Sequence, residues 1–149
     1  MTRSTKPSRF LDPDEAKAVA AAIESAERAS SAELKVAIGT RCNADIRLMA
    51  ADLFRKYGLE RTEQRNCALV LLLTENREFL IYGDEGIHDK VGQAFWSDVR
   101  DVMAAEFKEG RFGDGLAKGV TLIGEKLAQF FPYQDGDKDE ISNEIVYEG

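Results

Sequence analysis

Residues 68–89 read ALVLLLTENREFLIYGDEGIHD. The first six are apolar without alternation, which predicts a strand buried on both faces, as central strands under helices are. Residues 74–77, Thr-Glu-Asn-Arg, make a four-residue turn of hairpin length, and residues 78–83 return through Phe79, Leu80, Ile81 and Tyr82. The two strands are therefore expected to be antiparallel neighbours. A central strand buried on both faces needs helices on both sides, so this stretch decides the fold class: a three-layer α/β/α sandwich around a mixed sheet of at least three or four strands. Beyond Gly83 the chain enters a polar loop that holds Asp84, Glu85, Asp89 and the single histidine, His88.

The elements before this hairpin support the same class. Leu11-Asp12-Pro13-Asp14-Glu15 is a dense helix start, with Asp12 as N-cap, Pro13 at the first helical position, Glu15 closing a capping box and Leu11 stapling onto Ala16. Ala16, Val19, Ala20, Ile23 and Ala26 then recur at helical spacing up to about Ser30. Residues 33–40 alternate, with Leu34, Val36 and Ile38 opposite Glu33, Lys35 and Ala37, and predict a strand with one partly wet face, nearer a sheet edge than the strand at 68–73. Asn43 or Asp45 can cap a helix whose apolar face is Ile46, Met49, Ala50, Leu53, Phe54 and Tyr57, and Gly58 ends it.

After the hairpin, a helix over residues 90–108 is expected from the stripe Val91, Phe95, Val99, Val102, Met103 and Phe107, stopped by Gly110. A last helix starts at Gly113-Asp114, with Asp114 as cap, Leu116, Val120, Ile123, Leu127 and Phe130 inward, and Pro132 as terminator. Gly115 and Gly119, one turn apart on it, suit close helix packing. Residues 1–9 read as a flexible lead, 10–132 as the domain and 133–149 as an acidic tail, either mobile or a weakly docked strap.

Composition narrows the function classes. A chain of 149 residues that is 44% hydrophobic and 32% charged is one globular domain with enough apolar side chains for a core. Its net charge of -7 argues against a nucleic-acid partner, because a phosphate backbone needs a basic face. No apolar run approaches the length of a membrane span, and MTRSTKPSR is followed by LDPDEA rather than an apolar signal core, so a cytoplasmic protein without membrane insertion is expected. The two cysteines, Cys42 and Cys67, are read as reduced thiols.

The carboxylates after Gly83 are the leading candidate site. A hard divalent cation such as Ca2+ or Mg2+ takes several oxygens, mainly from aspartate and glutamate. Gly83 and Gly86 let the backbone turn tightly enough for Asp84, Glu85 and Asp89 to converge, and the hairpin brings Asn66 to the same end of the sheet as a fourth donor. The alternative is solvated carboxylates in a turn, with Asp89 capping the next helix and Asn66 bonding backbone. His88 has no serine, cysteine or second histidine beside it in a recognisable motif, and G-x-S-x-G, H-E-x-x-H and the phosphate-loop pattern are all absent. The run at residues 110–115, GRFGDG, places Asp114 where a bound phosphate would sit, and Asp135-x-Asp137-x-Asp139 has Glu140 where a calcium loop needs glycine. Arg65, Arg77 and Arg111 would hold a phosphate only if they converged.

Arg65-Asn66 before the apolar strand, Asn76-Arg77 between strands, GDEGIHDKVG at residues 83–92, Phe95-Trp96, and Phe107, Gly110, Phe112, Gly115 and Leu116 occur together in an order that resembles the TPM domain family over residues 10–132. The resemblance implies an α/β/α sandwich. It also implies roles seen among members: photosystem repair in the thylakoid lumen, acid phosphatase-like activity, divalent-ion binding in loops at one end of the sheet, and association with LemA-type membrane proteins. Cys67 departs from the family pattern, in which glycine usually follows the asparagine, and the signal and anchor of many relatives are missing. Two functions remain open: a binding or adaptor domain that uses its acidic loops to hold a divalent metal, a protein partner or both, and a metal-dependent acid phosphatase-like hydrolase in which a cation at Asp84, Glu85 and Asp89 activates water.

Overall fold

In the computed structural model, which describes residues 3–91, 93–133 and 144–148, the predicted hairpin forms one half of a four-stranded sheet of order β3-β2-β1-β4, with β3 at the edge. β2 is Cys67–Leu73 and β3 is Glu78–Gly83, joined by the four-residue turn and paired antiparallel from Leu73↔Glu78 to Ala68↔Gly83. β1, Glu33–Gly39, lies parallel to β2 on its other side, and the intervening helix α3, Ile46–Lys56, makes the crossover that parallel strands require. All seven residues of β2 are buried, as an apolar run without alternation demands.

The faces of the sheet carry separate cores. Leu34, Val36, Ile38, Ala68, Val70, Leu72 and Ile81 pack beneath α2 (Pro13–Ala29), α5 (Ser97–Lys108) and α6 (Phe112–Ala128), while Ala37, Leu69, Leu71, Leu73 and Leu80 pack against Ala50, Leu53 and Phe54 of α3. The fold is thus an α/β/α sandwich. Local chemistry starts its helices where the residues indicate: the Asp12 carboxylate accepts from the Glu15 N–H at 2.8 Å, the Glu15 carboxylate accepts from the Asp12 N–H at 3.0 Å, and Asp45 caps α3. Gly58 takes the left-handed conformation that ends α3.

Several expectations are corrected. β1 is not near an edge and has no wet face: all seven of its residues are buried, and β4, Val146–Glu148, pairs parallel with Ala37, Ile38 and Gly39 on its far side. β4 comes from the tail, where three residues gave no alternation long enough to read. The Glu148 carboxylate accepts from Lys56 Nζ at 2.7 Å and from the Tyr57 hydroxyl at 2.7 Å, which ties this strand to the end of α3. Residues 135–140, with their aspartate spacing, lie outside the described residues. The segment expected to be a flexible lead packs from Arg3 onward: α1 is Pro7–Phe10, Phe10 is buried, and the Thr74 hydroxyl donates to the Thr5 carbonyl at 2.5 Å.

The acidic loop is a helix for most of its length. α4 is Glu85–Val91, followed by a 3-10 turn at Gln93–Trp96, so the long helix expected from residue 90 is in fact broken before α5 begins. α6 begins at Phe112, two residues before the expected cap Asp114, and its N-cap position, Arg111, makes no side-chain cap. Val102 and Phe130, both placed on inward stripes, are exposed. Among the described residues no helix is long and apolar enough to cross a membrane.

Candidate functional site

The register of the hairpin builds the site. Counting back from Leu73↔Glu78 sets Cys67 against Asp84, where the Asp84 N–H donates to the Cys67 carbonyl at 3.0 Å, and the Gly86 N–H then donates to the Arg65 carbonyl at 2.9 Å. Arg65 adopts a left-handed backbone, φ 50°, which turns the chain into β2 beside the start of α4. A Cβ on Gly86 would lie 2.2 Å from the Gln64 carbonyl oxygen and 2.6 Å from that of Arg65, so only glycine allows this approach.

Arg65 and Asp84 therefore meet. The guanidinium donates from Nε and Nη2 to the two Asp84 oxygens at 2.8 and 2.9 Å, a bidentate fork, and from Nη1 to Glu85 at 3.1 Å. Asp84 is only 5% exposed, and its Oδ1 also accepts from the Glu85 N–H at 2.8 Å at the head of α4. The hydrogen bond from Arg65 to Asp84, with the charges of Asp84 and Glu85, holds the guanidinium above its ordinary pKa.

The four proposed metal ligands do not form one donor set. Asp84 and Glu85 share Arg65; Asp89 is exposed on α4; Asn66, 1% exposed, donates from Nδ2 to the Ser31 carbonyl at 3.2 Å and from its N–H to Thr62 Oγ1 at 3.1 Å. Asn66 thus lies at the same end of the sheet but faces β1, where it secures the loop before β2. Among the described residues no three His, Cys, Asp or Glu side chains gather as a group that could hold an ion. The positive charge beside Asp84 is a guanidinium occupying both carboxylate oxygens, and this arrangement does not fit a hard cation that needs those oxygens.

The pair borders a cleft of about 360 Å³ whose wall includes Arg47, Arg65, Tyr82, Glu85, His88 and Trp96. Among the described residues no serine, threonine or cysteine lines it. One side is formed by Leu80, Ile81, Tyr82 and Gly83 of β3, the edge strand of the sheet among the described residues. Because the Asp84 N–H points to β2, the alternation of an antiparallel ladder turns Leu80 and Tyr82 toward β2 and leaves the N–H and C=O groups of Phe79, Ile81 and Gly83 facing outward. The edge and its cleft escaped the sequence reading, because which rim of a hairpin stays open depends on where distant strands insert. The Arg65–Asp84 pair was countable from the four-residue turn.

The three arginines considered as a phosphate clamp are dispersed: Arg65 is at this cleft, Arg77 lines a different one, and Arg111 pairs with Glu106 at 2.7 Å. The N-terminus of α6 is taken by an acid, but by Glu15 rather than Asp114: the Gly113 N–H donates to the Glu15 carboxylate at 3.3 Å.

Comparison with known proteins places this geometry in a family. No curated protein matches the chain. The NMR structure of BA42 protein from the psychrophilic bacterium Bizionia argentinensis matches it at 35% identity with a TM-score of 0.90, over 97% of this chain and 99% of that one. The solution NMR structure of the N-terminal domain of a protein from P. gingivalis shares the fold at 19% identity and a TM-score of 0.67, over 83% of this chain and 82% of that one. The model of the TPM domain matches residues 4–126, so the chain belongs to the TPM domain family.

Proposed function

We propose that this TPM domain is a non-catalytic binding module that takes an extended segment of a partner protein into the cleft beside β3. The observation that carries the reading is the coincidence of the cleft with a strand edge that no described residue pairs. Strand addition of this kind draws affinity from main-chain hydrogen bonds and specificity from neighbouring pockets. Here the outward groups of Phe79, Ile81 and Gly83 supply the former, and Trp96, Tyr82, Arg47 and Glu85 supply apolar and charged contacts for the incoming side chains. The Arg65–Asp84 fork anchors the head of α4 and so keeps one wall of the cleft in place.

The test uses peptides selected from a random library, with tiled segments of LemA-type proteins included, and reads amide exchange on the intact domain. In the free protein the Phe79 and Ile81 amides exchange faster than those of Leu80 and Tyr82, and a bound peptide slows them. Peptides that bind without protecting those two amides overturn the strand-addition reading. If melting shifts with Ca2+ or Mg2+ and the shift is lost in Asp84→Ala/Asp89→Ala, the polar end is instead a cation site. Hydrolysis of an aryl phosphate lost in the same double variant supports a metal-assisted phosphatase.

A further inference from the structure

A second cleft, of about 650 Å³, lies at the opposite end of the sheet. The turn after β2 is tied to the end of β1 by the Thr74 N–H, which donates to the Gly39 carbonyl at 2.9 Å, and the Thr74 hydroxyl draws the segment before α1 across the same end through the Thr5 carbonyl. This is the carboxyl end of the parallel strands, where open α/β sheets take their ligands.

In a chain of net charge -7, three arginines line this cleft: Arg3, Arg9 and Arg77. Its acids are already engaged. Asp12 caps α2, and Glu15 holds Arg3 at 2.7 and 3.1 Å while accepting from Gly113. The Arg77 guanidinium lies over the Phe112 ring at 5.1 Å and the Phe10 ring at 5.8 Å, and Arg3 lies over the same rings at 5.2 and 5.3 Å. Among the described residues no carboxylate or carbonyl accepts from the side chain of Arg77 or of Arg9. Arg77 thus keeps a five-donor fork, built for bidentate oxyanion recognition, held on two aromatic faces and without an acceptor among the described residues. It does so at φ 57°, a backbone conformation that favours glycine or asparagine.

We propose that Arg77, with Arg9 on the wall of the same cleft, binds the oxyanion group, phosphate or carboxylate, of a small acidic ligand there. The volume is that of a small-molecule site rather than of a bare ion. The site is independent of the β3 edge and stands or falls separately from the binding-module reading.

The experiment titrates the full chain with inorganic phosphate and, separately, with citrate at constant ionic strength, read by NMR. The expected result is saturable shifts at Arg77, Phe10 and Phe112, with a response to one anion alone naming the oxyanion. Arg77→Gly, which suits the left-handed backbone, weakens binding by roughly tenfold or more, while Arg9→Ala weakens it less and Arg100→Ala on α5 leaves it unchanged. Arg77→Gln, which keeps the aliphatic stem but removes the charged fork, serves as a second variant if the glycine variant is not folded. Shifts that sodium chloride reproduces, or equal affinity in both Arg77 variants, overturn the proposal.

Discussion

At the scale of the residue, Gly86 and Cys67 show how one side chain is dictated by its neighbours. A methyl group at position 86 would meet two backbone carbonyl oxygens, and neither can rotate away. Gly86→Ala is therefore expected to destabilise the domain by about 3 kcal/mol, measured by urea unfolding, and to displace the head of α4 that Asp84 caps. A loss below about 0.5 kcal/mol would mean that the approach between α4 and Arg65 is looser than described. Cys67 opens β2 and is fully buried; burial, with the charges of Glu33 and Asp84 added, pushes its thiol up, away from the reactive thiolate. Cys42 is partly accessible. One thiol per chain is thus expected to react with a disulfide reagent under native conditions and both after denaturation; rapid native labelling of Cys67 would contradict its place in the core. The candidate ligands belong to this scale too. Asp84, Glu85 and Asn66 were correctly gathered at one end of the sheet by counting along the hairpin, but which way the Asn66 amide turns, and that Arg65 fills the charge between Asp84 and Glu85, depends on contacts with Ser31 and on a left-handed residue that spacing does not reveal.

Among the elements, α6 shows why glycine sits in a helix that its own propensity disfavours. A Cβ on Gly124 would lie 2.5 Å from the Cβ of Ala26 on α2, and one on Gly119 would lie 2.4 Å from the sulfur of Met103 on α5. Small residues thus let two helices close over the same face of the sheet. For Gly124→Ala, helix propensity contributes about 1 kcal/mol of stabilisation, against an overpacking cost of about 1–3 kcal/mol at a backbone-close contact. The cost wins, and a melting temperature lower by a few degrees is expected; a rise would show that α2 can move aside. Gly119 faces a flexible methionine, so its substitution should be milder. Element types were legible wherever the pattern was long: the capping box of α2, the seven-residue β2 and the apolar face of α3. α4 and β4 were not, since seven charge-rich residues flanked by Gly83 and Gly92 read as a loop, and three residues in a polar tail read as nothing.

For the whole molecule, distant segments are joined by charged contacts whose strength follows pH. Burial would raise the Glu15 carboxyl, but the hydrogen bonds from Arg3 and from the Asp12 and Gly113 N–H groups prevail and hold it below its ordinary 4.5. Glu148 behaves alike: burial opposes the charge, and Lys56 and Tyr57 overcome it. A carboxylate lowered on folding contributes stability that is complete above the unfolded value and is lost as pH falls through the folded one. Melting temperature should therefore drop as pH falls below about 4.5, and a Glu15→Gln/Glu148→Gln double variant should start lower at neutral pH and show a shallower acid limb. An unchanged acid limb would remove both contacts from the stability of the fold. Glu15 joins α2 to Arg3 and to α6, and Glu148 joins β4 to α3, so both report on docking that no local pattern encodes. By itself the sequence determined the helices with strong caps and periodicity, the central hairpin and the need for cover on both faces, because these follow from backbone geometry and apolar spacing within a few residues. Only the tertiary structure decided which strand edges stay open, that Val146–Glu148 closes one of them, that Asp84 is met by an arginine, and that Arg77 is held on two phenylalanines, because each depends on residues far apart in the chain competing for the same space and charge.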